Sequence, residues 1–311
     1  MKETIFLKYV KENKEMFDIR DYLALDVSVT NHFDYMDSVD SKKRNVLSFC
    51  ESETYLMKAL ENDNIIIIIL TQELFDQYNG TFSKSIIVAD DPKYTFWKLH
   101  NDLSIKGHLS PKMQFGTGEN CSIHPSAEVS DKVLLGNNIS IGAKCVVHDY
   151  TIIGDDTHIE AGAIIGCQGM QNCPTDEGKM HILHAGGVKI GRNVMIMSNA
   201  VVARAVYPDF TEVGDDTVIS VLSSIGHASR IGKNCNIAGN VLIGGSAIIG
   251  DDVWIGPSAM IKDGISIGNS ASVKLGSVVI SDVAERATVS GNFAYDHNRH
   301  IRKYVGSLRN K

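Results

Sequence analysis

From Ile123 onward an aliphatic side chain returns every sixth residue, at 123, 129, 135, 141, 147, 153, 159 and 165. The phase breaks, resumes at 190, 196 and 202, breaks again, and then holds by sixes from 213 to 279. The residue after the aliphatic one is often glycine, as at Gly142, Gly154, Gly191, Gly226 and Gly232. The fourth residue after it is small or β-branched, as at Cys145, Thr151, Thr157, Ala163, Thr217 and Ser229. A period of six is neither the 3.6 of a helix nor the 2 of a simple strand; it is the mark of a parallel β-helix. Each hexad supplies a short strand and a corner, and three hexads close one triangular coil. The aliphatic residue points inward over its counterpart one coil away, and the small residue fills the narrow corner. Glycine at the corner is expected to allow backbone angles that a Cβ would penalise. The two breaks, Gly166 to Lys189 and Tyr207 to Glu212, cannot lie on the prism and must leave it as loops, where a rigid scaffold tends to carry binding residues. After about Ser281 the repeat fades, and 284–311 reads as a short helical tail.

The first 120 residues follow another pattern. Apolar runs at Leu23–Val29, Asn45–Phe49, Asn64–Leu70 and Ser85–Ala89 alternate with helical stretches at Glu53–Asn62, Gln72–Tyr78 and Pro92–Leu103. The last stretch opens on Asp91-Pro92, an N-cap followed by Pro at the first helical position. The alternation predicts a small α+β domain with helices packed on a sheet, then a glycine-containing linker from Gly107 to Asn120. The expected boundaries are therefore 1–120, 121–283 and 284–311.

Composition narrows the picture. Of 311 residues, 43% are apolar and 22% charged, which suits a folded chain with a substantial core. A net charge of −7 weighs against a nucleic-acid partner. The most apolar run, Ile65–Leu70, is far too short for a bilayer, which needs about 20 residues. The opening MKETIFLKYV carries charge every few residues and does not read as a secretory leader. The six cysteines show no CxxC spacing and are expected to be free thiols in a reducing cytoplasm.

Candidate chemistry centres on His227, the third residue of the hexad that begins at Ile225. That register puts it at a corner, projecting outward. One coil further on the same position is Gly245, so stacked coils bring a peptide N–H over the imidazole. This pair suits acyl transfer, in which an imidazole takes a proton from the nucleophile and an amide steadies the oxyanion. The period alone equally allows a surface histidine beside a glycine that merely turns the chain. His181 and His184, three apart on the longer loop, read either as a metal pair or as polar loop residues; HxxH alone is no zinc signature. Trp254 faces outward by register, for a subunit contact or as a cofactor platform. The tail from Tyr295 carries Arg299, Arg302, Lys303, Arg309 and Lys311 against Asp296. It reads as a solvated helix or as a dock for an acidic carrier protein.

Four segments, LSFCESETY, VADDPKYTFWKLHNDL, SNAVVAR and IGHASRIGKN, resemble those of the hexapeptide acyltransferases. The likeness is strongest to the UDP-3-O-acylglucosamine N-acyltransferases of lipid A synthesis, and it runs over nearly the whole chain. The resemblance implies a left-handed β-helix and a homotrimer with sites between subunits. It implies that Phe49 and Tyr55 hold a uracil, that His227 is the catalytic base and that the Gly245 amide serves the oxyanion. It places Asn199 and Arg204 near the acceptor, has His181 or His184 reach in from a neighbouring prism, and runs the thioester arm past Trp254. Two departures stand out: Ala203 replaces an Asp of that family, and Ser220-Val221 replace Asp-Asn. Loss of those polar groups predicts a different acceptor, a nucleotide-linked amino sugar such as a dTDP-4-amino-4,6-dideoxyhexose. The resemblance then extends to the expectation of an N-acyltransferase such as that of anthrose biosynthesis, which uses a 3-hydroxybutyryl thioester. Acyl-CoA is favoured over acyl carrier protein as donor, with no tightly bound cofactor and no metal. The alternatives are a sugar O-acyltransferase, a metal-dependent hydratase of the same fold, and a non-catalytic binding module.

Overall fold

The computed structural model describes residues 32–78 and 82–291, the strands Lys8–Val10 and Met16–Asp18, and Asp296, His297, Arg299 and Arg302. The chain divides into two compact units. One comprises Met113–Cys167, Val188–Arg204 and Thr211–Lys311, and it is a left-handed parallel β-helix. Its short strands form three parallel sheets. The first runs in eight strands from Glu128–Val129 to Val278–Val279. The second runs in eight from Gly116–Thr117 to Ser266–Ile267, and the third in nine from Ser122–Ile123 to Thr288–Val289. Val147 pairs with Ile165, Ile225 with Ile243, and Ile243 with Ile261, as the period requires. Across the breaks Ile165 pairs with Val202 and Val202 with Ile225, so each excursion returns the chain to phase. The inward aliphatics form one continuous buried core. Burying each contributes about 2 kcal/mol, against about 1 kcal/mol for a typical hydrogen bond at a corner. The stack therefore holds the prism together, and the corners specify its register.

The prism is longer than its sixfold pattern. Gly116–Thr117 already pairs with Leu134–Leu135. At the other end Val283 bridges to Ile267 and Val289 pairs with Val273. This last rung is two residues short, which hides it from a search by sixes and puts the expected boundary at 283 inside the repeat. Of the expected helical tail, His297, Arg299 and Arg302 are helical; most of the rest lies outside the described residues.

The corners correct the expected role of glycine. The left-handed backbone falls on the third residue after the aliphatic one, as at Asn138, Asp156, Asn193, Asp216, Asn234 and Asp252, with φ between 52° and 60°. Asn and Asp tolerate that region better than other side chains. Apart from Gly166 at the first exit, the glycines directly after the aliphatic residue, such as Gly142 and Gly226, do not adopt positive φ. They are needed because adjacent coils touch there. A Cβ on Gly142 would lie 2.7 Å from the Ala161 nitrogen.

The other unit comprises Met1–Lys112, Gln168–Gly187 and Ala205–Phe210. Strands Tyr35–Met36, Val46–Phe49, Ile65–Leu70 and Ser85–Val88 form a parallel sheet in chain order. The helices are α1 (Glu53–Glu61), α2 (Gln72–Gln77) and α3 (Pro92–Ile105). The Asp91 side chain caps α3 by accepting from the Tyr94 N–H at 2.8 Å. These elements lie within a few residues of the expected ones; the strand expected at Leu23–Val29 lies outside the described residues. A small antiparallel sheet of Lys8–Val10, Met16–Asp18 and His32–Phe33 was not anticipated.

Both excursions from the prism belong to this unit. Asn172–Thr175 and Gly178–His181 pair as an antiparallel hairpin. Cys173, Ile182, Ala185 and Val206 join Phe33, Leu47, Ile69, Phe96 and Leu103 in one core. Helix α3 fastens the longer excursion: Asn101 Nδ2 donates to His181 O at 2.7 Å, and Leu183 N–H donates to Asn101 Oδ1 at 2.9 Å. His100 Nε2 donates to Leu183 O at 2.9 Å, and burial holds its pKa down to about 4. The Tyr207 ring stacks on Trp97 at 5.6 Å. The excursions are thus core-forming segments rather than the free binding loops the sequence suggested. All six cysteines are unpaired. Among the described residues no helix is long and apolar enough to cross a membrane.

Candidate functional site

The edge between the first and second sheets carries the candidate chemistry. Position two after each first-sheet aliphatic gives the column Asp149, Cys167, Arg204, His227, Gly245 and Asp263, one residue per rung. The chain leaves the prism at this edge after Cys167 and again after Arg204.

His227 is half-buried and lies against Gly245. A methyl built on Gly245 would come within 2.6 Å of both Cε1 and Nε2 of the imidazole. Gly226 and Gly244 line the same spot without side chains, and a Cβ on Gly226 would lie 2.5 Å from the Gly245 nitrogen. The structure therefore brings the two residues singled out by register into contact at an open edge. Burial holds the His227 pKa below its ordinary value, while the Asp263 carboxylate two rungs above pulls it upward. A depressed pKa keeps the imidazole neutral near pH 7 and able to accept a proton.

One further arrangement escaped the sequence reading. The Ser229 side chain is fully buried and its Oγ donates to Gly244 O at 2.9 Å. The carbonyl and N–H of a trans peptide point in opposite directions. With Gly244 O held inward by Ser229, the Gly245 N–H faces out from the edge. Among the described residues no group accepts from that N–H. The legible signal was the small residue at position four of each hexad, and its spacing of 15 to the carbonyl it serves.

The remaining expected site residues fall in different places. Arg204 shares the edge, one rung below His227, but its guanidinium is engaged. Nε donates to Gly166 O at 2.6 Å and Nη2 to Asp149 O at 3.1 Å, across the first exit from the prism. Burial lowers its pKa. Asn199 sits on another edge as a corner residue with φ 59°, its N–H donating to Ala161 O. Trp254 is exposed on the third sheet, between Asn236 and Ser272. The third sheet is the face opposite the His227 edge, so within one chain Trp254 does not line that edge. In the other unit, Phe49 packs on Phe96 at 4.9 Å and near Trp97 at 6.4 Å. Tyr55 is exposed on α1, with Lys58 Nζ 5.8 Å above its ring. His181 is exposed at the end of the hairpin. His184 is 2% exposed, its N–H donating to Gln168 Oε1. Its side chain lies in that unit's interior, whereas that of His181 faces outward. Among the described residues no group of three or more His, Cys, Asp or Glu is placed to hold a metal ion.

Comparison with known proteins matches residues 132–167 and 246–281 to the hexapeptide repeat of succinyl-transferase. A UDP-3-O-acylglucosamine N-acyltransferase of Acinetobacter baylyi is 27% identical over 242 residues, covering 66% of this chain and 65% of its own. A counterpart from Francisella tularensis is 27% identical over 236 residues, covering 66% of each. One from Coxiella burnetii is 30% identical over 182 residues, covering 49% of this chain and 52% of its own. The chain thus spans just under two thirds of the length of the first two relatives. Among solved structures, LpxA from Acinetobacter baumannii aligns with a TM-score of 0.45 and 21% identity, over 59% of this chain and 77% of its own. WeeI from Acinetobacter baumannii aligns with a TM-score of 0.31 and 15% identity, over 82% and 87%. The chain carries hexapeptide repeats at 132–167 and 246–281 and is similar in sequence to the UDP-3-O-acylglucosamine N-acyltransferases.

Proposed function

We propose that this protein transfers an acyl group from a thioester to the amine of a nucleotide-linked amino sugar. The observation that carries the reading is the His227 imidazole seated on Gly245, beside an outward peptide N–H. The similarity to N-acyltransferases named for a UDP-sugar supports the substrate class. The neutral amine attacks the thioester carbonyl, forming the C–N bond. His227 accepts the amine proton, and the Gly245 N–H donates to the tetrahedral oxyanion. The C–S bond then breaks, and His227 returns the proton to the leaving thiolate. Holding both substrates on one edge supplies much of the rate. Ala203 and Ser220-Val221 favour a smaller, less polar acceptor than the lipid A sugar, with acyl-CoA as donor. The working form is a cytoplasmic homotrimer in which a neighbouring subunit completes the cleft. That arrangement also lets another subunit's Trp254 approach the thioester arm.

His227→Ala should lower turnover by at least ~100-fold, the range for removing a general base, with folding and nucleotide-sugar binding retained. The measurement is thiol release with amino-sugar and hydroxy-sugar acceptors in parallel. Unchanged turnover would refute the assignment, and transfer to the hydroxy sugar alone would convert it to O-acylation. In the wild type, activity should fall with decreasing pH only below about 6.5, the ordinary histidine value, because the His227 pKa is depressed.

A further inference from the structure

The bond from Ser229 to Gly244 is one instance of a device repeated around the prism. Thr157 Oγ1 donates to Gly191 O at 3.0 Å, Thr217 Oγ1 to Gly232 O at 2.9 Å, and Ser223 Oγ to Ala238 O at 2.8 Å. All four hydroxyl residues are fully buried. Each fixes the peptide that follows a first-turn carbonyl in the next coil. Where the next residue's amide can be followed, it points away from the hydroxyl. Arg192 N–H, after Gly191, donates to Asp215 Oδ1, and Lys233 N–H, after Gly232, donates to Asp251 Oδ1. At those corners the device is structural, because the amide it orients is consumed by a side chain one rung above. At the His227 edge the oriented amide is that of Gly245, and the residue one rung above, Asp263, makes no hydrogen bond to it among the described residues.

We propose that Ser229 is a positioning residue for acyl transfer, locking the Gly244–Gly245 peptide so that its N–H is aimed at the developing oxyanion. This rests on the function proposed above and names a residue that acts on that site from inside the prism. The hydroxyl never meets substrate. It acts by removing rotational freedom from the peptide, and by polarising it, since a hydrogen bond to a carbonyl strengthens the donor at the other end of the amide. Gly244 and Gly245 have no Cβ to restrain that peptide themselves, so the restraint must come from a neighbouring coil.

Ser223 provides an internal control at a corner without His227, with the same burial, the same kind of bond to a carbonyl and one more, accepted from Val241 N–H at 3.2 Å. Ser229→Ala should lower kcat by about 10-fold, less than the ~10²–10³ of losing an oxyanion donor outright, with KM unchanged. Ser223→Ala should lose at least as much thermal stability as Ser229→Ala yet keep kcat near wild type. Ser229→Thr should restore kcat, because threonine performs the same task at 157 and 217. Equal kcat in the two alanine variants, or no recovery with threonine, would overturn the proposal. A second arm does not depend on turnover: glycine-labelled ¹H–¹⁵N spectra of the full chain, with amide exchange at Gly245. The Gly245 resonance should move and its exchange should change in Ser229→Ala and not in Ser223→Ala. If the wild type showed no acyl transfer at all, the function would fall while this arm still decided the positioning claim, and an unmoved Gly245 amide would sink it.

Discussion

On the edge between the second and third sheets, most rungs answer the one below. Asn137 N–H donates to Asp155 Oδ1 at 2.7 Å, Arg192 N–H to Asp215, Lys233 N–H to Asp251, and Asp251 N–H to Asn269 Oδ1. A second file runs beside it, with Asn138, Asn193 and Asn234 donating through their side-chain amides to Asp156, Asp216 and Asp252. The His227 edge uses the same backbone plan and stops answering: glycines stand at 226, 244 and 245, and an imidazole fills the space a side chain would take. The contrast teaches how a monotonous scaffold makes a site. No new loop or motif is needed; it is enough to omit the side chains that would satisfy the corner amides and to put one titratable ring beside the gap.

Restoring a side chain at the gap should do the most damage. Gly245→Ala places a methyl against the imidazole, and turnover should fall by roughly 100-fold, as when an oxyanion donor is lost, with little change in thermal midpoint. An alanine variant as active as wild type would mean that the two edges do not differ in function. The opposite perturbation is Asp215→Ala, on the self-satisfied edge. It should cost about 1–2 kcal/mol in denaturant unfolding, the scale of a hydrogen bond to a charged group, and leave turnover unchanged. Its pH signature is specific. The bond from Arg192 N–H, with Lys233 and Arg192 close by, holds the Asp215 carboxyl below the usual range. Its stabilisation is therefore full above the unfolded value of about 3.9 and is lost as pH falls through the lower folded value. Acid titration of the variant should lack that step. The smallest effect sharpens the rule for corners. Leu222 is 61% exposed and holds φ 59°, a poor choice for a branched apolar side chain. Leu222→Asn should raise stability by about 0.5–1 kcal/mol, the left-handed penalty relieved, and an unchanged midpoint would remove strain from the account.

Much of this was legible because a prism is local: a residue's partner is its own counterpart a fixed number of positions away. Ile225, Ile243 and Ile261 could be stacked on paper, and so could His227 and Gly245. Legibility failed wherever the partner was not set by period. The slip of two residues before Val283 broke the count although the pairing continued. The glycines after each aliphatic were given the wrong reason, since a chain read in one dimension shows turns and not the coil pressing from above. Periodicity announced that the segments around His184 and Val206 leave the prism, but their destination depends on apolar surface contributed by Phe33 and Leu47, which no spacing encodes. Ser229 was visible as a small residue, and its hydrogen bond needed the three-dimensional register.

The core shared by Leu47, Phe96, Cys173, Ile182 and Val206 also sets an order of events during synthesis. Chains emerge from the ribosome N-terminus first, and domains generally fold as they appear. Here the unit that holds this core has no complete interior until Val206 has been made, by which time the early rungs of the prism can already stack. Of the two units, the one whose synthesis starts earlier is the one that must wait, holding apolar surface open in the meantime. It is therefore the segment on which a chaperone, or a protease, has the longest opportunity to act.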